Sequence, residues 1–260
     1  MPKKNTKKTP AIRLDRLLVE RGFVESREKA QAVIFAGQVL VNNQKVDKAG
    51  ALVPEDATVR ITGGQLPYVG RGGLKLEAAL RHFGVDVTRK VALDVGASTG
   101  GFTDCLLQRG AGKVYAVDVG YGQLAWRLRQ DPRVVVIERT NIREMAASQV
   151  PEAVDIVVID VSFISLEKVI PSILPFLAHN GEIVALIKPQ FEVGKERVGK
   201  GGIVRDEAAR SAAVERIKTF MQNAGLEVRG VIESPITGQD GNVEYLLHAV
   251  KRMAVVTSAK

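Results

Sequence analysis

The stretch that most constrains this chain is Val91–Gly101, Val-Ala-Leu-Asp-Val-Gly-Ala-Ser-Thr-Gly-Gly. Its first half, Val91–Val95, is a short apolar run that reads as a buried strand with Asp94 near its end. Gly96, Gly100 and Gly101 crowd into a turn, and a helix-like stretch follows from Phe102 to Arg109. Strand, glycine turn and helix form the first unit of a nucleotide-binding α/β domain, whose ligand lies at the carboxyl end of the strand. Glycine supplies backbone torsions closed to other residues and lets a ligand approach the main chain. The turn lacks the Gly-x-Gly-x-x-Gly spacing of a dinucleotide site. A second strand, Lys113–Val117, ends at Asp118, 24 residues after Asp94, where a carboxylate can accept hydrogen bonds from ribose hydroxyls. The plainer alternative is a strand-to-helix turn that binds nothing.

Further strands are expected at Val134–Ile137, Asp155–Val161, Glu182–Ile187, Leu226–Ile232 and Val243–Val250. Helices are expected at Leu74–Phe83, Leu166–Leu177 and Glu207–Ala224. Seven strands with alternating helices make a doubly wound α/β sheet. No helix-length stretch separates the last two strands, which predicts an antiparallel pair.

Charge divides the chain. Residues 1–75 hold 14 Lys/Arg against 7 Asp/Glu, while residues 76–260 hold 23 against 22. That asymmetry suggests a polyanion-binding module attached to a near-neutral domain. A solvated basic tail is the plainer reading, since Lys3, Lys4, Lys7 and Lys8 carry four of the charges. The module itself reads as a helix built on Ile12, Leu14, Leu17 and Leu18, and a second helix capped by Ser26 and closed by Gly37. Strands follow at Gln38–Val41, Gln44–Val46 and Thr58–Thr62, the first two joined through Asn42-Asn43. Two helices and a small sheet make a poor core alone, so the module is expected as an appendage. Gly63–Gly73, rich in glycine, reads as the linker, giving 1–62, 63–73 and 74–260 as the division.

Composition removes several functions. No apolar run approaches the roughly 20 residues of a membrane span, and no apolar stretch follows the N-terminal lysines as a signal peptide requires. Cys105 is the single cysteine, so a reducing cytoplasm fits. His82, His179 and His248 are scattered, with no metal-ligand spacing to Cys105, so no metal is expected.

Four ionisable residues stand where catalysis would want them. Asp160 ends the apolar run Val-Asp-Ile-Val-Val-Ile, and Lys188 ends Ile-Val-Ala-Leu-Ile. Charges at the carboxyl ends of buried strands point into the cleft. A lysine after five apolar residues is expensive unless it reaches a cleft or a partner. Glu244 opens the last strand beside Asn242, and Lys75 sits in a first helical turn, where it opposes the helix dipole. A loop-capping aspartate and a solvent lysine are the plainer readings of Asp160 and Lys75. Residues 189–205 form a long basic, glycine-containing loop; Lys195, Arg197 and Lys200 are its candidates for phosphate contact.

Resemblances sharpen these readings. Asp94-x-Gly-x-x-x-Gly-Gly with Asp118 resembles the S-adenosylmethionine site of Rossmann-like class I methyltransferases. Arg13-Leu-Asp-Arg-Leu-Leu, Ser26-Arg-Glu-Lys-Ala and Ile34-Phe-Ala-Gly-Gln-Val-Leu-Val-Asn resemble the small α+β RNA-binding domain named after ribosomal protein S4. That resemblance implies RNA-phosphate contacts at Arg13, Arg16, Arg27 and Lys29. Lys75, Asp160, Lys188 and Glu244, in that order, resemble the tetrad of FtsJ-like ribose 2′-O-methyltransferases. A 2′-hydroxyl is a weak acid and a weak nucleophile. A nearby ammonium stabilises developing alkoxide charge, or a neutral lysine takes the proton. The expected activator is Lys188, with Lys75 and Asp160 as direct partners and Glu244 as tuner.

Over most of its length the chain resembles the TlyA family, whose members methylate cytidine 2′-hydroxyls of bacterial 16S or 23S ribosomal RNA and often carry a haemolysin label. That resemblance implies S-adenosylmethionine bordered by Gly96, Gly100, Gly101, Phe102, Asp118, Asn141 and Asp160, and ribosomal RNA or subunits as partner. The rivals are a non-catalytic RNA-binding assembly factor, a base methyltransferase and a membrane-active haemolysin. Two lysines suit a hydroxyl better than a base, and neither a membrane run nor an amphipathic membrane helix is visible.

Overall fold

The computed structural model describes residues 10–35, 37–62, 67–238 and 240–252. The lysine-rich tail, residues 63–66 of the expected linker and the stretch after Arg252 lie outside the described residues. The chain divides into two compact units, Met1–Arg71 and Gly72–Lys260.

The N-terminal unit contains β1 (Ala11–Arg13), α1 (Leu14–Glu20), α2 (Arg27–Phe35), β2 (Val39–Val41), β3 (Gln44–Lys45), β4 (Leu52–Pro54) and β5 (Val59–Ile61). Leu14, Leu17 and Leu18 of α1 and Ala30 and Ile34 of α2 bury themselves against Val39, Val41, Val53 and Val59. Ser26 Oγ accepts the Lys29 N–H at 3.2 Å and so caps α2. Asn42 and Asn43 both take positive φ, 50° and 64°, which closes the β2–β3 hairpin in two residues. One feature departs from the sequence reading. Ile12 lies in β1, paired with Val53 of β4, and not in the first helix. Strands of three residues are too short to show a period, so this two-stranded ribbon left no pattern to read.

The second unit contains α3 (Gly72–Phe83), β6 (Val91–Val95), α4 (Gly101–Gln108), β7 (Lys113–Val117), α5 (Trp126–Arg129), β8 (Val134–Ile137), β9 (Val154–Ile159), α6 (Leu166–Ile173), β10 (Leu177–Ile187), α7 (Pro189–Glu192), α8 (Glu207–Asn223), β11 (Leu226–Glu233) and β12 (Tyr245–Lys251). Its seven strands form one sheet in the order β11-β12-β10-β9-β6-β7-β8, with β12 antiparallel to both neighbours. Alternation along the strands sorts the two faces. Leu93, Val95, Tyr115, Val157, Ile159, Ile183 and Ala185 join one cluster with Val169 and Ile170 of α6 and Ile217 and Met221 of α8. The opposite face, with Ala92 and Asp94, lies under α3 and α4, which pack on each other and on β12, β6 and β7.

Several boundaries differ from expectation, two of them with structural consequences. Gly72 and Gly73 open α3 instead of ending a linker. A Cβ on Gly72 would stand 3.4 Å from Phe102 and 3.7 Å from an Asp160 carboxylate oxygen, so this glycine lets the helix start close to the sheet end. The helix expected to reach Leu177 stops at Ile173, and Leu177 already belongs to β10. There β10 bulges between Leu177 and Glu182, with Asn180 at φ 60°. Leu177 is apolar in either assignment, so hydropathy alone does not separate them.

Register delivers the site. Val95 lies beside Ile159, Ile159 beside Ala185, and Ile187 beside Tyr245. Gly96, Asp160, Lys188 and Glu244 therefore leave the sheet at one edge, the carboxyl end of the parallel strands.

Candidate active site

Two ion pairs meet at that edge. Lys188 Nζ lies 2.7 Å from Asp160 Oδ1 and donates to Ser162 Oγ at 2.9 Å. Lys75, on α3, pairs with Glu244. The sequence reading made Lys75 a direct partner of Lys188, whereas its carboxylate partner here is Glu244. The pairs differ in exposure: 7% and 3% for the side chains of Lys75 and Glu244, against 11% and 22% for Lys188 and Asp160. Solvent, and hence an acceptor molecule, reaches the second pair more readily. Taking an ion pair out of water costs several kcal/mol per ion before attraction offsets it. The fold accepts that cost most fully at Lys75–Glu244.

The glycine turn is built as its spacing required. Gly96 and Gly100 take φ of 89° and 96°, and Gly100 precedes α4. A Cβ on Gly96 would stand 2.5 Å from the Asp160 carbonyl oxygen, so this glycine serves the approach of two strand ends as well as any ligand. Asp118 accepts the Ser98 N–H and the Gly120 N–H, each at 2.7 Å, tying the glycine turn to the end of β7. Asn141 caps a short turn by accepting the Arg143 N–H at 3.1 Å, and the Thr140 N–H donates to the Asp118 carbonyl at 3.0 Å, which holds Asn141 near Asp118. Gly101 and Phe102 are buried at the start of α4, with the Phe102 ring turned toward Gly72.

Asp94 adds what the spacing did not reveal. It is fully buried, one carboxylate oxygen accepts from Thr103 Oγ1 at 2.6 Å, and the other has no hydrogen-bond partner among the described residues. Burial pushes its carboxyl up to about 7; the Thr103 bond opposes that and the nearby charge of Asp160 adds to it. An unsatisfied buried acceptor beside a glycine turn suits a cationic ligand group.

A second unforeseen residue is Phe163. Its side chain is 90% exposed, its φ is 64°, and its ring lies 5.1 Å from that of Phe191. A bulky residue in the left-handed region is an outlier, and such strain clusters at functional sites. The clue in the sequence was position: Phe163 comes three residues after Asp160.

The expected RNA contacts fall in two places. Arg13 and Arg27, 49% and 58% exposed, both bond the buried Asp15 carboxylate, which they hold well below the usual carboxylate range. Arg16 pairs with Glu20, and Lys29 with Glu25. On the second unit, Lys195, Arg197 and Lys200 are exposed. The loop expected at 189–205 is partly helical, with α7 and a 3-10 turn at Lys195–Arg197. Among the described residues no helix is long and apolar enough to cross a membrane, and no group of three His, Cys, Asp or Glu could hold a metal ion.

Known proteins resemble this chain in sequence and fold. The FtsJ-like methyltransferase family matches residues 68–251, and the S4 domain matches residues 12–59. YqxC of Bacillus subtilis is 51% identical over 237 residues, covering 91% of this chain and 84% of that protein. The Mycobacterium tuberculosis 16S/23S rRNA (cytidine-2′-O)-methyltransferase TlyA is 47% identical over 236 residues, covering 90% of this chain and 88% of that one. A solved structure from Streptococcus thermophilus, which carries a hemolysin label, is 42% identical with a TM-score of 0.75, covering 96% of this chain and 93% of that chain. The chain is an S4-domain-bearing FtsJ-like methyltransferase and belongs to the TlyA family.

Proposed function

We propose that this enzyme transfers a methyl group from S-adenosylmethionine to the 2′-hydroxyl of cytidine in bacterial ribosomal RNA, 16S, 23S or both, in the cytoplasm. The observation that carries this reading is the pair of ion pairs at the sheet edge, of which only Lys188–Asp160 opens toward solvent. S-adenosylmethionine, when bound, supplies an electrophilic methyl on a sulfonium. Asp94, Asp118, Asn141, Asp160, Phe102 and the glycines at 96, 100 and 101 are the residues assigned to hold it.

The chain's own groups do the rest. Asp160 and Ser162 hold the Lys188 amine at the mouth of the site. As an ammonium, Lys188 stabilises the charge that develops on the ribose 2′ oxygen; as an amine, it takes the hydroxyl proton. Glu244 pairs with Lys75 and balances its charge. Phe163 offers an aromatic face beside the acceptor, as proteins do for unstacked RNA bases. Alignment of acceptor and donor supplies much of the acceleration of an in-line displacement.

In this proposal the N-terminal module, residues 1–62, grips RNA phosphates through Arg13, Arg16, Arg27 and Lys29. The stretch after it links it to the catalytic domain, which opens with α3 at Gly72 and whose Lys195, Arg197 and Lys200 add contacts.

The test is transfer of labelled methyl groups to purified ribosomal subunits and to naked ribosomal RNA. Wild type should label a ribose, and Lys188→Ala should lower the rate by about 100-fold or more. No incorporation by wild type with RNA binding intact would favour the assembly-factor reading. Incorporation that survives Lys188→Ala would keep the enzyme and discard the role of Lys188.

A further inference from the structure

Two chain segments meet beneath the solvent-facing ion pair. One follows β9 and carries Asp160, Ser162 and Phe163; the other follows β10 and carries Lys188 and Phe191. At the outer end they touch through Lys188 with Asp160 and Ser162, and through the two phenylalanine rings. At the inner end a single side chain joins them. Glu192, the last residue of α7, is buried, with its side chain 2% exposed. It accepts from Ser165 Oγ at 2.6 Å and from the Leu166 N–H at 2.9 Å, which is the N-terminus of α6. Arg216 of α8 donates to it at 3.1 Å, and the same guanidinium reaches Glu167. A carboxylate at a helix N-terminus is favoured by the exposed N–H groups there. Three donors, two from the start of α6 and one from α8, converge on a group that would otherwise be costly to bury.

We propose that Glu192 is a positioning residue for Lys188, clamping the α7 turn to the start of α6 so that the Lys188 amine stays between Asp160 and Ser162. The inference rests on the methyltransferase reading above. The Phe191 N–H donates to the Lys188 carbonyl and the Val193 N–H to the Pro189 carbonyl, so the turn from Lys188 to Glu192 is a hydrogen-bonded unit. Displacing Glu192 therefore displaces Lys188. Burial raises the Glu192 carboxyl above its ordinary range, Ser165, Leu166 and Arg216 oppose that, and Glu167 adds to it.

Single-turnover methyl transfer with saturating ribosomal substrate tests this in wild type, Glu192→Ala and Glu192→Gln. Glutamine can still accept from Leu166 but meets Arg216 with a donor. The expected result is a rate at least 30-fold lower in the alanine variant and about 5-fold lower in the glutamine variant, following the loss rule for misplaced groups. Cofactor and RNA dissociation constants should stay within about 2-fold, as for a group that acts only on positioning. An alanine variant within about 3-fold of wild type, or one whose rate and binding fall together, overturns the proposal. Arg216→Met covers the case in which the alanine variant fails to fold. Removing that cation should move the acid limb of the rate–pH profile to higher pH, and adding Glu192→Gln should abolish the move. An unmoved limb also overturns it. Failure of wild type itself to methylate any RNA would instead strike the parent reading.

Discussion

In the N-terminal unit, Arg16 pairs with Glu20 at 67% and 43% exposure; in the catalytic unit, Lys75 meets Glu244 at 7% and 3%. Exposed pairs of the first kind contribute about 0–1 kcal/mol, because water screens them and both chains lose freedom on pairing. Such a cation exchanges its carboxylate for a phosphate at little cost, which suits a surface that must let go. A pair of the second kind has been stripped of water and cannot exchange. Its value lies in holding charge at a fixed point, which suits chemistry. Asp15 stands between the two regimes: its carboxylate is fully buried, yet the two guanidiniums on it reach solvent. One buried anion thereby aims two exposed cations.

The sharpest way to break this contrast is to remove one partner of the buried pair. Lys75→Met leaves the Glu244 carboxylate buried alone and should cost about 3–5 kcal/mol in chemical denaturation. Lys75→Met with Glu244→Leu should recover much of that stability and none of the activity. If the single variant lost under about 1 kcal/mol, the pair would belong with the surface pairs despite its burial.

Asp94 sharpens the comparison, being a buried carboxylate without a cation on it. Its folded value, about 7, lies above the ordinary 3.8, so its contribution is fully present near pH 4 and is lost as pH rises through 7. Asp94→Asn removes that loss. The variant should match wild type near pH 4 and exceed it at pH 8 by on the order of 2–4 kcal/mol in the absence of cofactor. Its affinity for S-adenosylmethionine should fall. Equal stability at both pH values would refute the account of Asp94.

The smallest effects are expected at the surface. Arg16→Ala and Lys29→Ala should each change stability by no more than about 0.5 kcal/mol. Together they should reduce the slope of log K for RNA against log salt by about 2 if each meets a phosphate. An unchanged slope would leave both as plain solvated charges.

Much of this was legible because the physics is local. Asp160 and Lys188 follow unbroken apolar runs, so strand ends could be placed and their charges aimed at a cleft. Gly96 and Gly100 announced positive φ, and both take it. The antiparallel final pair followed from the missing crossover between β11 and β12. What stayed hidden depends on register and long-range packing. Nothing near Lys75 in the chain says that its partner lies 169 positions away at Glu244. Glu192 lies in a stretch that reads as a basic loop, and Ser165 and Arg216 reach it only in the folded molecule. The ribbon of β1 and β4 was too short to leave a pattern.

The insertion of β12 between β10 and β11 has a kinetic consequence. Its pairing with β10 closes a loop that contains α7, α8 and β11, and long loops slow the formation of the contacts that close them. Until β12 docks, Leu247 and Ala249 are missing from the core that also holds Ile183 and Ala185, and Glu244 is absent from Lys75. Completion of the sheet and arming of the site are then the same event. A chain arrested before it would lack the Lys75–Glu244 pair proposed for the site.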